Sequence, residues 1–337
     1  MKKIFNLIAS FVLLAGFSAC NKDGADKPDL PPAPVPTVNY KGLTFISSGK
    51  STVCLEKVGA PDEITLEYST DESQWNPYTI GEKISLADGT FLLFRAGEQK
   101  NLTFSKGSDS YYHFEISGPV TAQGNIMSLL DRDFSTPLST NAFFALFEGC
   151  KSLLSAPELP ATTMAQGCYF RMFAECTGLT SAPELPAEAL AYNCYGRMFK
   201  GCSALTYVPD LPATKMEAYC YNSMFANCTS LKFAPELPAK RLDTGCYHCM
   251  FEGCTSLTSA PELPATELVS NCYEFMYKDC RNLRYVIGLF TTEPSKKTTE
   301  DWLSGVAASG TFVKSEKATW EVTGADGVPE GWKIETW

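Results

Sequence analysis

Cysteine is the residue type in this sequence best equipped to do chemistry. The chain has 14 cysteines but only 2 histidines in 337 residues. So few imidazoles argue against His-based acid–base catalysis and against most mixed Cys/His zinc sites. The densest cluster is Cys246-Tyr247-His248-Cys249, a spacing that suits a metal ion or a redox pair. Its two thiols belong to different series. Cys246 falls in a regular ladder, while Cys249 fills a slot held in other repeats by Arg171, Arg197, Ser223 and Phe275. That slot reads as variable and exposed, so Cys249 is expected to be an incidental surface thiol. No metal ligand and no cofactor are assigned. His113 sits in a strand-like run and reads as structural rather than as a base.

Two further series carry polar or aromatic chemistry. Glu158, Glu184, Asp210, Glu236 and Glu262 recur at one repeat position. Stacked strands would bring these carboxylates within about 4.8 Å of each other, where like charges repel unless something answers them. Backbone amides could do so, and so could a bound cation or a basic partner. The second series is Ser155, Ser181, Tyr207, Phe233, Ser259 and Tyr285, preceded by Leu154, Thr180, Thr206, Lys232, Thr258 and Arg284. Exposed aromatic and cationic side chains on a regular scaffold are what binding faces use. Tyr207, Lys232, Phe233, Arg284 and Tyr285 are therefore the candidate ligand-binding residues. Scattered surface aromatics with no partner are the competing reading. No Ser/His/Asp set, phosphate-cradling glycine loop or metal triad is visible, so a non-enzymatic protein is expected.

The elements that would position these residues are repeats. Cysteines fall at 150, 176, 202, 228, 254 and 280, and again at 168, 194, 220, 246 and 272, both with a period of 26. Pro157-Glu-Leu-Pro-Ala returns at 183, 235 and 261, and as Pro209-Asp-Leu-Pro-Ala. Such strict periodicity marks a solenoid. Leu179-Thr-Ser-Ala-Pro-Glu-Leu reads as one short strand-like edge per coil, ended by proline. Leu190, Cys194, Tyr195, Met198, Phe199 and Cys202 read as one face of a short helix. A strand and a helix per coil predict an α/β solenoid. Cys168 and Cys176 would then lie roughly 12 Å apart along the helix at about 1.5 Å per residue, too far for a bridge. The ladder cysteines are read as small buried apolar side chains, with inter-coil disulfides as the alternative.

Met198-Phe-Lys-Gly-Cys-Ser-Ala-Leu205 and Met250-Phe-Glu-Gly-Cys-Thr-Ser-Leu257 resemble the repeats of the BspA-like leucine-rich-repeat surface proteins of bacteria. The likeness covers residues 124–287. Residues 288–337 also resemble the caps of such proteins, through Trp302-Leu-Ser-Gly-Val and Gly327-Val-Pro-Glu-Gly-Trp332. The resemblance implies a leucine-rich-repeat-like fold, a surface location and a role in adhesion. It names no ligand.

The remaining segments set the organisation. Lys2, Lys3 and the apolar stretch Ile4–Phe17 read as a signal peptide over residues 1–19. Phe17-Ser18-Ala19-Cys20 resembles a lipobox, which makes Cys20 the candidate lipidation site. A plain secretory peptide followed by an incidental Cys20 is the alternative. Residues 20–39 are a Pro-rich tether. Residues 40–123 alternate as short strands and predict a small all-β, sandwich-like domain. Residues 124–287 form the solenoid and 288–337 its C-terminal cap. The net charge of −10 repels phosphate backbones, so nucleic acid is not an expected partner. The expectation is a lipoprotein held at the outer membrane by its lipid, facing the cell surface. It would bind a host or matrix protein. Glycan capture for a polysaccharide-uptake system is the alternative, with Tyr207, Phe233 and Tyr285 stacking on sugar rings.

Overall fold

Residues 41–99 and 102–337 are described by a computed structural model. The signal peptide, the tether over residues 20–39 with Cys20, and residue 40 lie outside the described residues. No described helix is long and apolar enough to cross a membrane.

The N-terminal strands are β1 (Leu43–Ser47), β2 (Ser51–Val58), β3 (Leu66–Ser69), β4 (Asn76–Tyr78), β5 (Ile84–Leu86), β6 (Phe91–Ala96), β7 (Ser105–Gly107), β8 (Ser110–Ser117) and β9 (Val120–Gln123). They form two antiparallel arrays, β9-β1-β6-β3-β4 and β5-β2-β8-β7. Alternation decides which side chains meet. Phe45 of β1 and Phe114 of β8 are both buried, and their rings pack edge to face at 5.0 Å. The Leu55 amide of β2 donates to the Tyr78 hydroxyl of β4 at 2.8 Å, which ties the two arrays together.

Strand β9 does not end the first sheet. It pairs in parallel with β10 (Leu153–Ser155), the strand edge of the first coil. The other array also reaches the solenoid. The Phe114 amide donates to the Leu146 carbonyl at 2.7 Å, and the Phe114 ring stacks on Phe147 at 5.2 Å. The β sheets and the coils thus belong to one compact unit, Val38–Trp337.

The coils contain no α-helix where one was expected. Among the described residues the α-helix Lys296–Thr299 and the 3-10 helix Ile126–Leu129 are the helical segments, four residues each. The α/β expectation is corrected to a strand-and-turn solenoid preceded by antiparallel sheets. The physical reason lies in the period. Leu190, Cys194, Met198 and Cys202 recur every four residues without slipping. In an α-helix, twelve residues at about 3.6 per turn would rotate the face by about 120°. The backbone instead adopts a positive φ once in every four residues, as at Asn193, Arg197 and Gly201, or Tyr219, Ser223 and Asn227. A left-handed residue at that interval interrupts helical hydrogen bonding.

The amides divide their partners accordingly. Tyr169, Arg171, Phe173 and Glu175 donate to Cys194, Gly196, Met198 and Lys200 of the next coil, at 2.7–3.0 Å. The alternating amides of Phe170, Met172 and Ala174 turn back to Gly167, Tyr169 and Arg171 at 3.0–3.2 Å. Half of this backbone therefore bonds along the solenoid axis and half within its own coil, so buried polar groups find partners without helix or conventional strand.

Stacking coils also stacks their side chains into columns. Phe147, Phe173, Phe199, Phe225, Phe251 and Tyr277 lie 5.3–5.7 Å apart with nearly parallel rings. Phe143, Tyr169, Tyr195, Tyr221, Tyr247, Tyr273 and Trp302 form a second column at 5.8–6.1 Å. Both spacings fall in the favourable range for aromatic pairs. All thirteen described cysteines are free and buried. Cys150, Cys176, Cys202, Cys228, Cys254 and Cys280 each donate to the carbonyl of a phenylalanine 29 residues or more upstream, at 2.9–3.2 Å. Cysteine here is a small apolar filler that also supplies a weak donor.

The solenoid continues into residues 288–337. The Tyr277 amide donates to the Trp302 carbonyl at 2.8 Å, extending the ladder past the last repeat. The parallel sheet of β11 (Ser259–Leu263), β12 (Tyr285–Gly288), β13 (Thr311–Lys314) and β14 (Lys333–Thr336) runs to the far end. Phe290, Phe312, Trp302 and Trp320 fill the interior there. The indoles of Trp302, Trp320 and Trp332 donate to the carbonyls of Gly327, Phe290 and Ala307 at 2.8–3.2 Å.

The interior sets two expectations for stability. Burial pushes the Cys150, Cys168 and Cys254 thiols up to about 12, whereas an unfolded thiol ionises at about 8.5. Above that pH the folded state binds more protons than the unfolded one. The stability from these thiols is therefore complete below about pH 8.5 and is lost as pH rises toward the folded values. Each buried thiol then costs up to about 1.4 kcal/mol per pH unit, and two ladders of them act together. Circular dichroism should record cooperative unfolding within about two pH units of that point; a melting temperature still flat at about pH 11 would refute this. The second expectation concerns Tyr195, whose buried hydroxyl meets no hydrogen-bond partner. Tyr195→Phe keeps the ring stack and should raise stability by about 1 kcal/mol in chemical denaturation. A loss of similar size would show that the hydroxyl is satisfied.

Candidate ligand-binding face

The strand edges of the coils are interrupted by a proline at 157, 183, 209 and 235 that supplies no amide donor, whereas in the last of these coils β11 runs through Pro261. Within the edge, side chains alternate. Val208 and Val286 point inward and are buried, while their neighbours Tyr207 and Tyr285 point outward. Backbone bonds between edges set the register: Thr206 to Thr180 and Arg284 to Thr258, each at 3.0 Å.

The candidate residues occupy this outward column. Phe233 is 46% exposed and Tyr285 37%, and both pair in register with Ser259, which lies between them. The two rings thus flank a serine, with a gap of about two strand spacings, or about 10 Å. Tyr207 is half-buried and pairs with Ser181 instead. Lys232 and Arg284 are exposed beside Phe233 and Tyr285. Phe233 and Tyr285 therefore share one face of the solenoid, with Lys232 and Arg284 exposed next to them along the chain.

The acidic series lies past the prolines. Glu158, Glu184, Asp210 and Glu236 are exposed, and Glu262 is half-buried within β11. At one step a backbone group answers the charge, because the Glu236 amide donates to Asp210 Oδ1 at 3.2 Å. Among the described residues no group of three or more His, Cys, Asp or Glu side chains is placed to hold a metal ion.

Cys249 departs from its expected exposure. It is 8% exposed, because the turn that carries it lies against its neighbours in adjacent coils. Its amide donates to the Glu274 carbonyl at 2.9 Å, and its thiol lies 3.8 Å from His248 Nε2. Burial, then the Glu252 carboxylate, pushes the thiol up to about 12. Burial lowers the His248 pKa. A protonated thiol beside a neutral imidazole is not an activated nucleophile. His248 Nδ1 lies 3.0 Å from the Asn222 amide nitrogen, and Nε2 lies 3.4 Å from Glu274. This polar row on the turn face had no periodic signal, because its slot changes residue type from coil to coil.

A cleft of about 430 Å³ opens between the outer face of β2 and β8 and the first coil. Lys83, His113, Glu115 and Glu148 line it. His113 therefore faces this cleft rather than the sandwich interior. The pairing of a sheet face with a distant coil is not visible in linear spacing.

Comparison with protein-family models, with curated proteins and with solved structures finds no match. The geometry of the outward column therefore carries the functional reading.

The column makes a mechanical prediction. Phe233→Ser should change unfolding free energy by no more than about 0.5 kcal/mol, while Val286→Ala, on the inward side of β12 two coils further on, should cost about 2 kcal/mol. Equal losses in denaturant titrations would place the Phe233 ring in the core.

Proposed function

We propose that this chain is a lipid-anchored bacterial surface protein that binds a host or matrix protein through the outward strand-edge column of its solenoid. The coils would serve as a leucine-rich-repeat-like scaffold of the BspA type, without the helix of α/β members. The carrying observation is the pair Phe233 and Tyr285, exposed on one face with Lys232 and Arg284 beside them. Large aromatics held outward by a rigid backbone lose little entropy on contact. Tyr207 extends the same face. The reading is non-enzymatic, and it is supported by thiols that burial keeps protonated, that of Cys249 beside His248 included. Anchoring would come from acylation of Cys20, which would hold the protein at the outer membrane with the solenoid toward the cell surface.

Cells displaying the full chain should adhere to one or more members of a panel of immobilised mammalian matrix proteins. Phe233→Ser combined with Tyr285→Ser should weaken that adhesion about 30-fold, the equivalent of roughly 2 kcal/mol at an interface hot spot. Signals confined to a parallel glycan array would replace this reading with sugar capture. Cys20→Ser should move the protein out of the membrane fraction or leave its precursor uncleaved. Unchanged membrane partitioning would rule out the lipid anchor.

A further inference from the structure

We propose that the open edge of β14 docks a second copy of this chain, with the two β14 strands antiparallel about a twofold axis through Ile334. β14 is the outermost strand of the sheet β11-β12-β13-β14, and all four of its residues are exposed. On its inner side the Lys333 amide donates to Gly310 and the Trp337 amide to Lys314, both at 2.9 Å. Alternate residues of a parallel ladder face opposite ways. The amide and carbonyl of Ile334 and of Thr336 therefore point toward the open edge.

Three features favour a second copy as the occupant. The first is backbone polarity. A twofold axis at Ile334 makes it a reciprocal hydrogen-bonded pair with Ile334 of the second copy, and its outward amide and carbonyl are the groups such a pair needs. The second is charge. In that register Lys333 faces Glu335 of the second copy, and Glu335 faces its Lys333. These two residues already pair at 2.6 Å within one chain, so association would join two pairs into a four-charge cluster of alternating sign. Shifting the axis to Lys333 or to Glu335 would set like charges opposite each other, which is destabilising. The third is the apolar face. Ile334 pairs in register with Phe312, which pairs with Val286, both fully buried. Ile334 extends this interior row but is itself 37% exposed. The twofold would place the matching isoleucine directly against it.

A lysine on an edge strand by itself discourages edge pairing. Here the lysine is matched by a glutamate two residues away on the same side, so in the register centred on Ile334 the lysine meets an opposite charge rather than solvent or a like one. A twofold of this kind stands perpendicular to the sheet. It would turn the columns containing Tyr285, Thr311 and Lys333 of both copies toward the same side, and two copies of the proposed recognition face would act together.

The test is site-directed cross-linking in the full chain carrying Cys20→Ser. The native thiols of the coils are buried and stay silent under mild oxidation. Ile334→Cys should give a covalent dimer on a non-reducing gel, because a hydrogen-bonded antiparallel pair sets Cα atoms about 5.5 Å apart, within disulfide reach. Thr336→Cys should not, because its own mate is displaced by roughly 13 Å along the strands. Adding Lys333→Glu should lower the Ile334→Cys dimer yield at least tenfold, and adding Glu335→Lys to that variant should restore it. Melting curves should be alike for all variants, since every altered side chain is exposed. No dimer from Ile334→Cys, equal dimer from Thr336→Cys, or a yield indifferent to the charge swap would each overturn the proposal.

Discussion

The structure depends on one constraint, which is that every second amide of the turn segment must reach a carbonyl of the next coil. The ladder from Tyr169, Arg171, Phe173 and Glu175 to the following coil meets that requirement and repeats coil after coil. It can do so only if the chain reverses its twist every fourth residue, hence the positive φ at Asn193, Arg197, Tyr219, Ser223 and Cys249. Non-glycine residues in that region cost energy. The axial hydrogen bonds and the stacked rings offset that cost jointly, and neither is available to an isolated coil.

The same constraint explains the N-terminal sheets. An open first coil would present a row of unpaired carbonyls and an uncovered aromatic row. Strands β8 and β9 supply both missing halves: Phe114 adds a ring and an amide to the phenylalanine column, and β9 adds a parallel neighbour to β10. Even the Cys150 thiol finds its carbonyl on Phe114 at 2.9 Å, as later thiols find theirs on a preceding coil. The sheets thus act as a template on which the first coil is laid.

Much of this was legible in the sequence. The 26-residue period, the inward Cys, Tyr, Met, Phe and Leu positions and the strands around Phe45, Leu55, Phe94 and Phe114 all follow from spacing. The helix did not follow, because five or six apolar positions at intervals of four and five mimic a helical face over a short window. The discriminating sign was the absence of drift across twelve residues, together with glycine, asparagine or aspartate at 149, 167, 193, 201, 227, 245, 253, 271 and 279. The exposure of Phe233 and Tyr285 was legible because serine at equivalent positions fits an outward slot. The burial of Cys249 was not, because residue variety at its slot looked like solvent exposure. The cleft beside His113 joins residues that only the tertiary fold brings together.

The thiol columns carry a consequence for the lifetime of the molecule. Each ladder cysteine is shielded only while its coil is stacked. In an oxidising medium, a chain that opens would present closely spaced sulfurs, such as Cys168 and Cys176 or Cys194 and Cys202, that can pair in geometries the stacked coils exclude. Refolding would then compete with covalent scrambling, and a reversible excursion would become a one-way exit. The durability of such a protein outside a reducing compartment would be governed by how rarely it opens, a rate, rather than by how far its folded state lies below the unfolded one.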